Sequence, residues 1–427
     1  MHTGPSRYHP LMARQSPLQR AHHQAEASLL AYGTADKPAE AIELVGTFGE
    51  LEFEYAALRK HCVLIDQPQR GIIELTGKDR LDFLNRMVTQ DLKGLGPFRV
   101  RRSFWLNKKG RIDADLRVID LPQRTLLELD TLAAERTRAG LNHYVVAEDL
   151  KLSDRTEPLH RFALHGPTGL HLLMAVAQHA SGADASGPAF EELLPDRACV
   201  VSIAGAPVVV YREDSAGELG LELIVPVENA AKVYALLVEA GREIEAAEGM
   251  PAPPNPWRNV CSRVKLRPAG WHALNIARIE AGTPLYNIDF GAESLPAETG
   301  LFDDRVSLTK GCYLGQEIVA RLHARGHPKQ VLVALKFESR QDEATGLPVQ
   351  PESGSQLFAG EAPDPVGAVS SSSLSPMLGS IPVAFASVTF GHHAPGTVLR
   401  TEVAGKPLMG TVQPQLTFWS RAFKPVA

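Results

Sequence analysis

The sequence predicts a mixed α+β protein whose C-terminal part is a small all-β unit. Stretches of strand length alternate with amphipathic stretches of helix length between residues 71 and 250, and a similar order occurs twice. After Lys329 the chain changes to short β-like runs separated by Gly, Pro and Ser, which is typical of a small barrel or sandwich. A chain of 427 residues is also long enough for about two to four domains.

The first α+β unit begins near Gly71. "GIIELTG" predicts a strand, and "KDRLDFLNRM" predicts a helix that carries three apolar side chains on one side. These are Leu81, Leu84 and Met87. "SFWLNKKGRIDADLRVID" then predicts two strands joined by a turn at residues 107–110, and "TLLELD" predicts a third strand after the Pro122 turn.

The second unit repeats this plan. "RFALHGPTGLHLLMAV" predicts a strand, a glycine and a helix, and Gly166 follows Gly77 at an offset of 89 residues (166 − 77). "CVVSIAGAPVVVYREDSAGELGLELIVP" predicts further strands, and "ENAAKVYALLVEAGREIEAAEG" predicts a long amphipathic helix. We interpret the two units as an internal duplication; the alternative is chance recurrence of a common strand-helix unit.

The remaining segments complete the predicted organisation. A helix is predicted in residues 18–33, and the proline cluster "MPAPPNPWR" separates the long helix from another in "GWHALNIARIEAGTPLY". We therefore predict a partly helical lead-in, a first α+β portion, a second α+β portion, a return segment and a C-terminal β-unit. Their bounds are 1–45, 46–158, 159–250, 251–329 and 330–427.

Composition excludes several classes of protein. Hydrophobic residues make up 44% and charged residues 22%, and the formal net charge of −5 gives no broad attraction to nucleic acid or to an anionic membrane. No apolar run approaches the length of about 18 residues that a membrane-spanning helix needs. The basic N-terminus lacks the apolar core of a secretory signal, so we expect a cytoplasmic protein, with an organelle-targeted precursor as the alternative.

The four cysteines are far apart and form no C-x-x-C pair. They are Cys62, Cys199, Cys261 and Cys312. This spacing argues against a zinc ribbon or a local iron–sulfur scaffold, so any cysteine chemistry is that of a free thiol.

Several segments, taken together, resemble one known family. "CVLIDQPQRGIIELTGKDRLDFLNRMVTQDL", "ARIEAGTPLYNIDF", "KGCYLGQEIVAR" and "PVGAVSSSS…PGTVLRTEVAGK" are similar, in this order, to the folate-binding YgfZ family. Its mitochondrial relatives assist the maturation of proteins that carry 4Fe–4S clusters, and it shares its fold with the glycine cleavage T-protein, an aminomethyltransferase. The resemblance implies a ring-like, three-domain α+β protein with a C-terminal β-barrel that binds tetrahydrofolate, or a one-carbon derivative of it, in a central channel.

Cys312 is the first candidate functional residue. A thiol reacts as thiolate, which a nearby cation such as Lys310 and the start of a helix at Gln316 favour. The alternative is a buried cysteine packed as a small apolar residue. The resemblance implies that Cys312 is the functional thiol with Lys310 beside it, in a motif completed by Gly311, Tyr313, Gly315, Gln316 and Glu317. Because one cysteine cannot hold a cluster, any cluster or persulfide contact needs a partner protein.

Two glutamates are candidates for binding the pterin edge of a folate, because a carboxylate accepts hydrogen bonds from the N–H groups of that edge. In "YREDSAGELGLELIV" Glu218 and Glu222 match the two acids of the T-protein segment "GYTGExGxE", and the resemblance favours Glu218. This sequence has "DSAGE" in place of "GYTGE", which removes an aromatic residue. Without the resemblance, both glutamates read as surface residues of a hairpin.

Three further positions follow from the T-protein pattern. "ARIEAGTPLY" matches "RxEAGxxLY", which implies that Arg278 and Tyr286 face the folate channel; their alternatives are a solvated helix arginine and a core tyrosine. "KGRIDADLRV" matches "GGxxDDLxV", where an aspartate pair serves methylene transfer. Ala114 replaces the first aspartate and Asp115 keeps the second, which weakens the aminomethyltransferase interpretation.

A basic run follows the cysteine motif and comprises Arg321, His323, Arg325, His327 and Lys329. It is either a solvated face or a surface for an acidic partner. We reject a zinc site there because no acidic third ligand is nearby and Gly326 and Pro328 end the helix.

The sequence thus supports three hypotheses of function. The first is a tetrahydrofolate-binding protein that assists iron–sulfur assembly or repair through Cys312, with client or assembly proteins as partners. The second is a folate-dependent aminomethyltransferase of the glycine cleavage type. The third is a folate-binding module without reactivity of its own.

Overall fold

The computed structural model describes residues 14–33, 41–180, 187–188, 193–246 and 265–421. Cys261 and the proline cluster "MPAPPNPWR" lie outside these residues. The architecture is mixed α+β with two large sheets and a closed barrel, as the sequence predicts.

The N-terminal elements adjoin the second sheet, which takes in the last of them, β3, as one of its strands. They are α1 (Gln19–Gln24), β1 (Ser28–Tyr32), β2 (Ile42–Thr47), α2 (Leu51–Lys60) and β3 (Cys62–Asp66). The helix predicted for residues 18–33 is wrong beyond Gln24, because β1 pairs antiparallel with β2. The helical spacing of Leu29 and Leu30 is only a local signal. Their pairing with Val45 and Leu44 of β2 is stronger and makes this segment a strand.

The first α+β unit forms a five-stranded sheet in the order β5-β6-β7-β4-β8, with α3 and α4 as its helices. Its elements are β4 (Arg70–Thr76), α3 (Arg80–Met87), β5 (Val100–Leu106), β6 (Ile112–Asp120), β7 (Arg124–Asp130), α4 (Thr131–Asn142) and β8 (Lys151–Asp154).

The second unit forms a seven-stranded sheet that also takes in β3, in the order β10-β11-β12-β13-β9-β3-β14. Its elements are β9 (Leu159–His165), α5 (Gly169–Val176), β10 (Gln178–His179), β11 (Ala198–Ile203), β12 (Ala206–Arg212), β13 (Gly220–Pro226), α6 (Ala230–Ala246) and β14 (Leu266–Pro268).

The predicted duplication is confirmed by the strand order. The run β5-β6-β7-β4 of the first sheet has the same connectivity as β11-β12-β13-β9 of the second. Gly77 and Gly166 occupy the same position in both units, with φ of 107° and 125°. A Cβ atom would lie 2.0 Å from the carbonyl oxygen of Asp149 at Gly77 and 2.4 Å from that of His61 at Gly166. Only glycine fits such a turn.

The C-terminal unit is a closed six-stranded barrel in the order β15-β18-β17-β16-β19-β20, which decides between the barrel and the sandwich. Three helices precede it. The elements are α7 (Trp271–Ala281), α8 (Phe302–Arg305), α9 (Gln316–Arg325), β15 (Gln330–Phe337), β16 (Gln356–Phe358), β17 (Pro365–Ser375), β18 (Ile381–Thr389), β19 (Val398–Val403) and β20 (Lys406–Val412).

The two sheets face each other across a shared apolar cluster. Ile72, Ile119 and Leu126 of the first sheet pack with Tyr211 and Ile224 of the second. The charged residues described next lie beside this cluster, on the same strands. No helix in the described part of the chain is long and apolar enough to cross a membrane.

Candidate functional site

A cavity lies where the two sheets, the N-terminal strand β1 and the segment around α7 meet. It contains about 610 Å³ of space free of protein atoms, including open solvent at its mouth. Aromatic, apolar, acidic and basic side chains line it. They are Tyr32, Gln67, Gln69, Arg70, Arg117, Asp130, Arg161, Glu213, Ser215, Glu222, Trp271, Leu274, Arg278, Leu285, Tyr286 and Ile288.

Buried ion pairs join the two sheets at the base of the cavity. Glu128 on β7 accepts hydrogen bonds from Arg70 Nη2 at 2.7 Å and from Arg161, which comes from β9 of the other sheet. Arg161 Nη2 also lies 2.8 Å from Glu222 Oε2. Burial acts to raise the pKa of Glu128, but Arg161 and Arg70 together hold it below its usual value. The network therefore fixes the two sheets relative to each other.

Glu222 faces the cavity, whereas Glu218 does not line it. Burial raises the pKa of Glu222 to about 7 against the opposing effect of Arg161. Glu218 is fully buried under the C-terminal segment, where Arg59 Nη1 and Arg421 Nε lie 3.9 Å and 3.8 Å from its Oε1. Neither carboxylate oxygen of Glu218 has a hydrogen-bond partner in the described structure, and burial raises its pKa to about 7. Of the two predicted acids, the geometry gives cavity access to Glu222.

Arg278 and Tyr286 both line the cavity. Arg278 Nη1 lies 2.7 Å from Asp289 Oδ2, while its Nη2 is buried without a hydrogen-bond partner in the described structure. The Tyr286 hydroxyl donates to the carbonyl oxygen of Asp113 at 2.9 Å and accepts from Arg136. Arg278 therefore keeps the two N–H donors of Nη2 for a ligand.

Asp115 is buried and forms ion pairs outside the cavity lining. Its Oδ2 lies 2.7 Å from Arg117 Nη1, and its Oδ1 accepts from Arg305 Nε at 2.9 Å. Burial acts to raise the pKa of Asp115, but Arg117 and Arg305 hold it below its usual value. The side chain of Asp115 thus orients Arg117, which does line the cavity.

Tyr32 and Asp130 form a further polar pair in the cavity that sequence reasoning missed. The Tyr32 hydroxyl donates to Asp130 Oδ2, and the backbone N–H of Leu132 donates to Asp130 Oδ1 at 2.9 Å. Asp130 is also the N-cap residue of α4. Burial raises the pKa of Asp130, although the Tyr32 hydrogen bond and Arg70 oppose this.

The cysteine motif lies elsewhere, since none of residues 310–317 belongs to the described cavity lining. Cys312 is exposed, whereas Cys62 and Cys199 are buried and burial raises each of their pKa values to about 12. Helix α9 begins at Gln316 as predicted, after Gly315 at φ 81°. A Cβ atom at Gly315 would lie 2.7 Å from the carbonyl oxygen of Asn107, so glycine lets this turn pack on the β5-β6 hairpin.

Lys310 anchors the motif to the first sheet's helix. Its Nζ donates to the carbonyl oxygens of Asn85 and Val88 at 2.6 Å each and of Gln90 at 3.0 Å. An ammonium group has three N–H donors, and these contacts occupy all of them. Burial lowers the pKa of Lys310 to about 8. The ammonium group therefore binds the carbonyl oxygens at the end of α3 and fixes the cysteine motif to that helix.

Metal binding has no visible basis in the part of the chain that the structure describes. No three or more His, Cys, Asp or Glu side chains there are grouped so as to hold a metal ion.

Comparison with known proteins identifies the family. The family model for the GCVT N-terminal domain matches residues 18–253, more than half of the chain. The chain belongs to this family. The match begins at Leu18, the residue before α1, and spans both α+β units, including Tyr32, Asp130 and Glu222.

Relatives of similar length carry the name aminomethyltransferase. The chain is 27% identical over 410 residues to one from Cutibacterium acnes, with 96% of this chain and 99% of that one aligned. It is 27% identical over 412 residues to one from Symbiobacterium thermophilum, with 93% and 96% aligned. These names agree with the T-protein side of the resemblance, and the specific assignment to the YgfZ family stays a prediction.

A solved structure has the same fold. It is the glycine cleavage system aminomethyltransferase T from Bartonella henselae, with a TM-score of 0.76 and 21% identity over 95% of this chain and 99% of that one. This chain therefore has the T-protein fold, with a closed barrel in its C-terminal part.

The buried charged residues missed by sequence reasoning, in the cavity lining and in the ion-pair network beside it, share a recognisable signal. Glu128 and Asp130 lie in "TLLELD" and Arg161 lies in "RFALH", so each is a charge within an otherwise apolar strand. Charged residues are almost never fully buried unless they are paired. Charges in two such strands of a duplicated unit indicate a polar junction between the sheets.

Proposed function

We propose that this protein is a folate-dependent aminomethyltransferase of the glycine cleavage type, which binds tetrahydrofolate in the cavity between its two sheets. The observation that carries the proposal is the cavity itself, in which the Glu222 carboxylate faces aromatic side chains and four arginines. The names of the relatives support the same reaction class.

The residues present fit a folate. Glu222 offers carboxylate oxygens to an aminopyrimidinone edge, and Trp271 and Tyr286 offer aromatic surface to a pterin ring. The unpartnered Nη2 of Arg278 is a donor for the carboxylates of a glutamate tail.

Several cavity residues have a role in holding such a ligand. Tetrahydrofolate, when bound, supplies the nitrogen atoms that receive the one-carbon unit. Glu222 in its ionised form accepts N–H groups, and Arg161 holds it in place at 2.8 Å. Trp271 supplies an aromatic face in a cavity where Ser215 stands in the segment that carries an aromatic residue in T-proteins. Leu274, Leu285 and Ile288 exclude water.

The partner of the reaction is a carrier protein that delivers the aminomethyl group on a thiol. The test is a transfer assay with aminomethylated lipoyl carrier protein and tetrahydrofolate, followed by release of ammonia. We expect tetrahydrofolate-dependent ammonia release that Glu222→Ala abolishes. Ammonia release at the rate of the enzyme-free reaction would refute the proposal.

A second candidate function rests on the exposed thiol. Cys312 is exposed at the start of α9, unlike the buried Cys62 and Cys199, which suits assistance to iron–sulfur assembly in client proteins. Complementation of cells that lack the protein tests it. Loss of iron–sulfur enzyme activity in Cys312→Ala with tetrahydrofolate affinity unchanged would support this candidate, and normal activity would remove it.

A further inference from the structure

The Tyr32–Asp130 pair has no part in holding the ligand as described so far. We propose that this pair handles the proton of the transfer reaction, with Asp130 as the acceptor and Tyr32 as the residue that positions it. The inference rests on the proposed function, because it assigns a role within that same reaction.

Asp130 differs from the other two cavity carboxylates in its partners. Glu222 lies 2.8 Å from Arg161, and Glu213 lies 3.6 Å from Arg117 Nε. In the described part of the chain, no lysine or arginine nitrogen lies within 4.0 Å of the Asp130 carboxylate, which accepts hydrogen bonds from Tyr32 and from a backbone N–H. Glu222 and Glu213 are already engaged by guanidinium groups, so Asp130 is, among the described residues, the cavity carboxylate without an ion-pair partner that would compete with a proton.

Asp130 also lies near the place where a carboxylate is missing. Ala114 is fully buried, and the carbonyl oxygen of its neighbour Asp113 accepts from the Tyr286 hydroxyl at 2.9 Å. Burial raises the pKa of Tyr286, and the charges of Asp113 and Asp130 add to this increase. Tyr286 thus hydrogen-bonds to the strand that carries Ala114 and lines the same cavity as Asp130.

Tyr32 reaches Asp130 from the N-terminal part of the chain, and side-chain contacts hold that part against the rest of the protein. Arg14 donates to the carbonyl oxygens of Arg70 at 3.1 Å and Thr156 at 2.7 Å. His22 Nε2 lies 2.7 Å from Asp66 Oδ2, and both side chains are buried. These contacts attach residues 14–24 to strands of both sheets. The strand β1 that follows holds the Tyr32 hydroxyl against Asp130.

The proposed step is a simple proton transfer. When a folate nitrogen forms its bond to the transferred carbon, the bond between that carbon and the carrier sulfur breaks, and its electron pair leaves with the sulfur. Asp130 accepts the proton of the attacking nitrogen, and the N–H bonding pair stays on nitrogen. The neutral carboxylic acid then passes the proton to the departing carrier sulfur, and Asp130 returns to its ionised form. Ammonia leaves in the later step, in which the second folate nitrogen bonds to the same carbon and the displaced amino group takes that nitrogen's proton. No further oxidant, reductant or co-reactant is needed.

The pH dependence follows from the groups that face Asp130. These are Tyr32 from β1, Arg70 opposite it on β4, and Tyr286 and Asn287 after α7. An acceptor must be ionised, so the transfer rate falls as the pH drops through the pKa of Asp130. Removing the Tyr32 hydroxyl removes a hydrogen bond that favours the anion, which moves this acid limb to higher pH.

The experiment compares Asp130→Asn, Tyr32→Phe and the double variant in the full chain. Asparagine keeps the N-cap acceptor of α4, so we expect the fold to be retained, with thermal unfolding as the check. We expect transfer to fall at least 100-fold in Asp130→Asn, and the acid limb of kcat to shift to higher pH in Tyr32→Phe. Matched controls outside the cavity are Asp120→Asn and Tyr234→Phe, whose kcat profiles we expect to keep the wild-type midpoint.

Binding provides a readout that does not depend on turnover. Calorimetry with tetrahydrofolate on the same four proteins separates binding from proton transfer, and we expect the affinity of each variant to stay within threefold of wild type. A loss of affinity in Asp130→Asn as large as its loss of transfer, or transfer by Asp130→Asn within threefold of wild type, would overturn the inference while leaving the proposed function intact. A wild-type protein that neither binds tetrahydrofolate nor transfers would overturn both.

Discussion

The central cavity and the Cys312 turn are two different kinds of site. The cavity is assembled from buried charges on separate strands, such as Arg70, Glu128 and Arg161, each of which depends on the others. The turn is a contiguous motif in which one exposed thiol follows an anchored lysine. The difference teaches that a contiguous motif is visible in the sequence alone, whereas a site made of buried charges from separate strands is visible only in the tertiary structure.

The largest expected effect breaks the cavity's ion-pair network. Arg161→Met leaves Glu128 and Glu222 with fewer partners in a buried site. We expect a loss of about 3 to 5 kcal/mol in the free energy of unfolding, measured by urea denaturation. The control is Arg138→Met, whose surface pair with Glu135 we expect to contribute less than about 1 kcal/mol. Equal stability of Arg161→Met and wild type would show that the network does not hold the sheets together.

The next effect separates the two glutamates of the hairpin. Glu222→Ala removes the carboxylate that lines the cavity, and we expect tetrahydrofolate affinity to fall about 100-fold, or about 2.7 kcal/mol, in equilibrium dialysis. Glu218→Gln is the matched control, and we expect its affinity to stay within about threefold of wild type because Glu218 lies outside the cavity. The reverse pattern would restore Glu218 as the pterin-binding residue.

A smaller effect concerns stability and pH at Glu218. Its pKa is raised from 4.5 to about 7 in the folded protein, so its contribution to stability is fully present below about pH 4.5 and is lost as the pH rises through 7. Because glutamine carries no charge that burial would oppose, we expect Glu218→Gln to be more stable than wild type at pH 8 and nearly equal to it at pH 4. Urea denaturation at both pH values measures this; a pH-independent difference would contradict it.

The smallest effect is expected at the turn. Cys312→Ala changes an exposed side chain, so we expect the free energy of unfolding to shift by less than about 0.5 kcal/mol and the transfer rate by less than twofold. Cys62→Ala, which alters a buried thiol, is the control and should destabilise by about 1 kcal/mol. A large loss of transfer in Cys312→Ala would move the centre of function to the turn.

The fold was predictable because its signals are local. The strand-glycine-helix pattern around Gly77 and Gly166 gives the two units, and the run of short strands after Lys329 gives the barrel. Residues 28–32 have the apolar spacing of a helix. They form a strand because they pair with β2, which lies 10 to 19 residues further along the chain.

The site was only partly predictable. Glu222, Arg278 and Tyr286 were found through a family pattern, and all three line the cavity. Tyr32 and Asp130 belong to no motif that was recognised, and their contact joins residues 98 positions apart. Such a pair becomes visible only when tertiary structure brings the strands together.

Calorimetric titration of the full-length protein with tetrahydrofolate tests the central claim most directly. The cavity account predicts saturable one-to-one binding, with a rise in thermal unfolding temperature at saturating ligand. The absence of both heat and thermal shift at saturating tetrahydrofolate would contradict it.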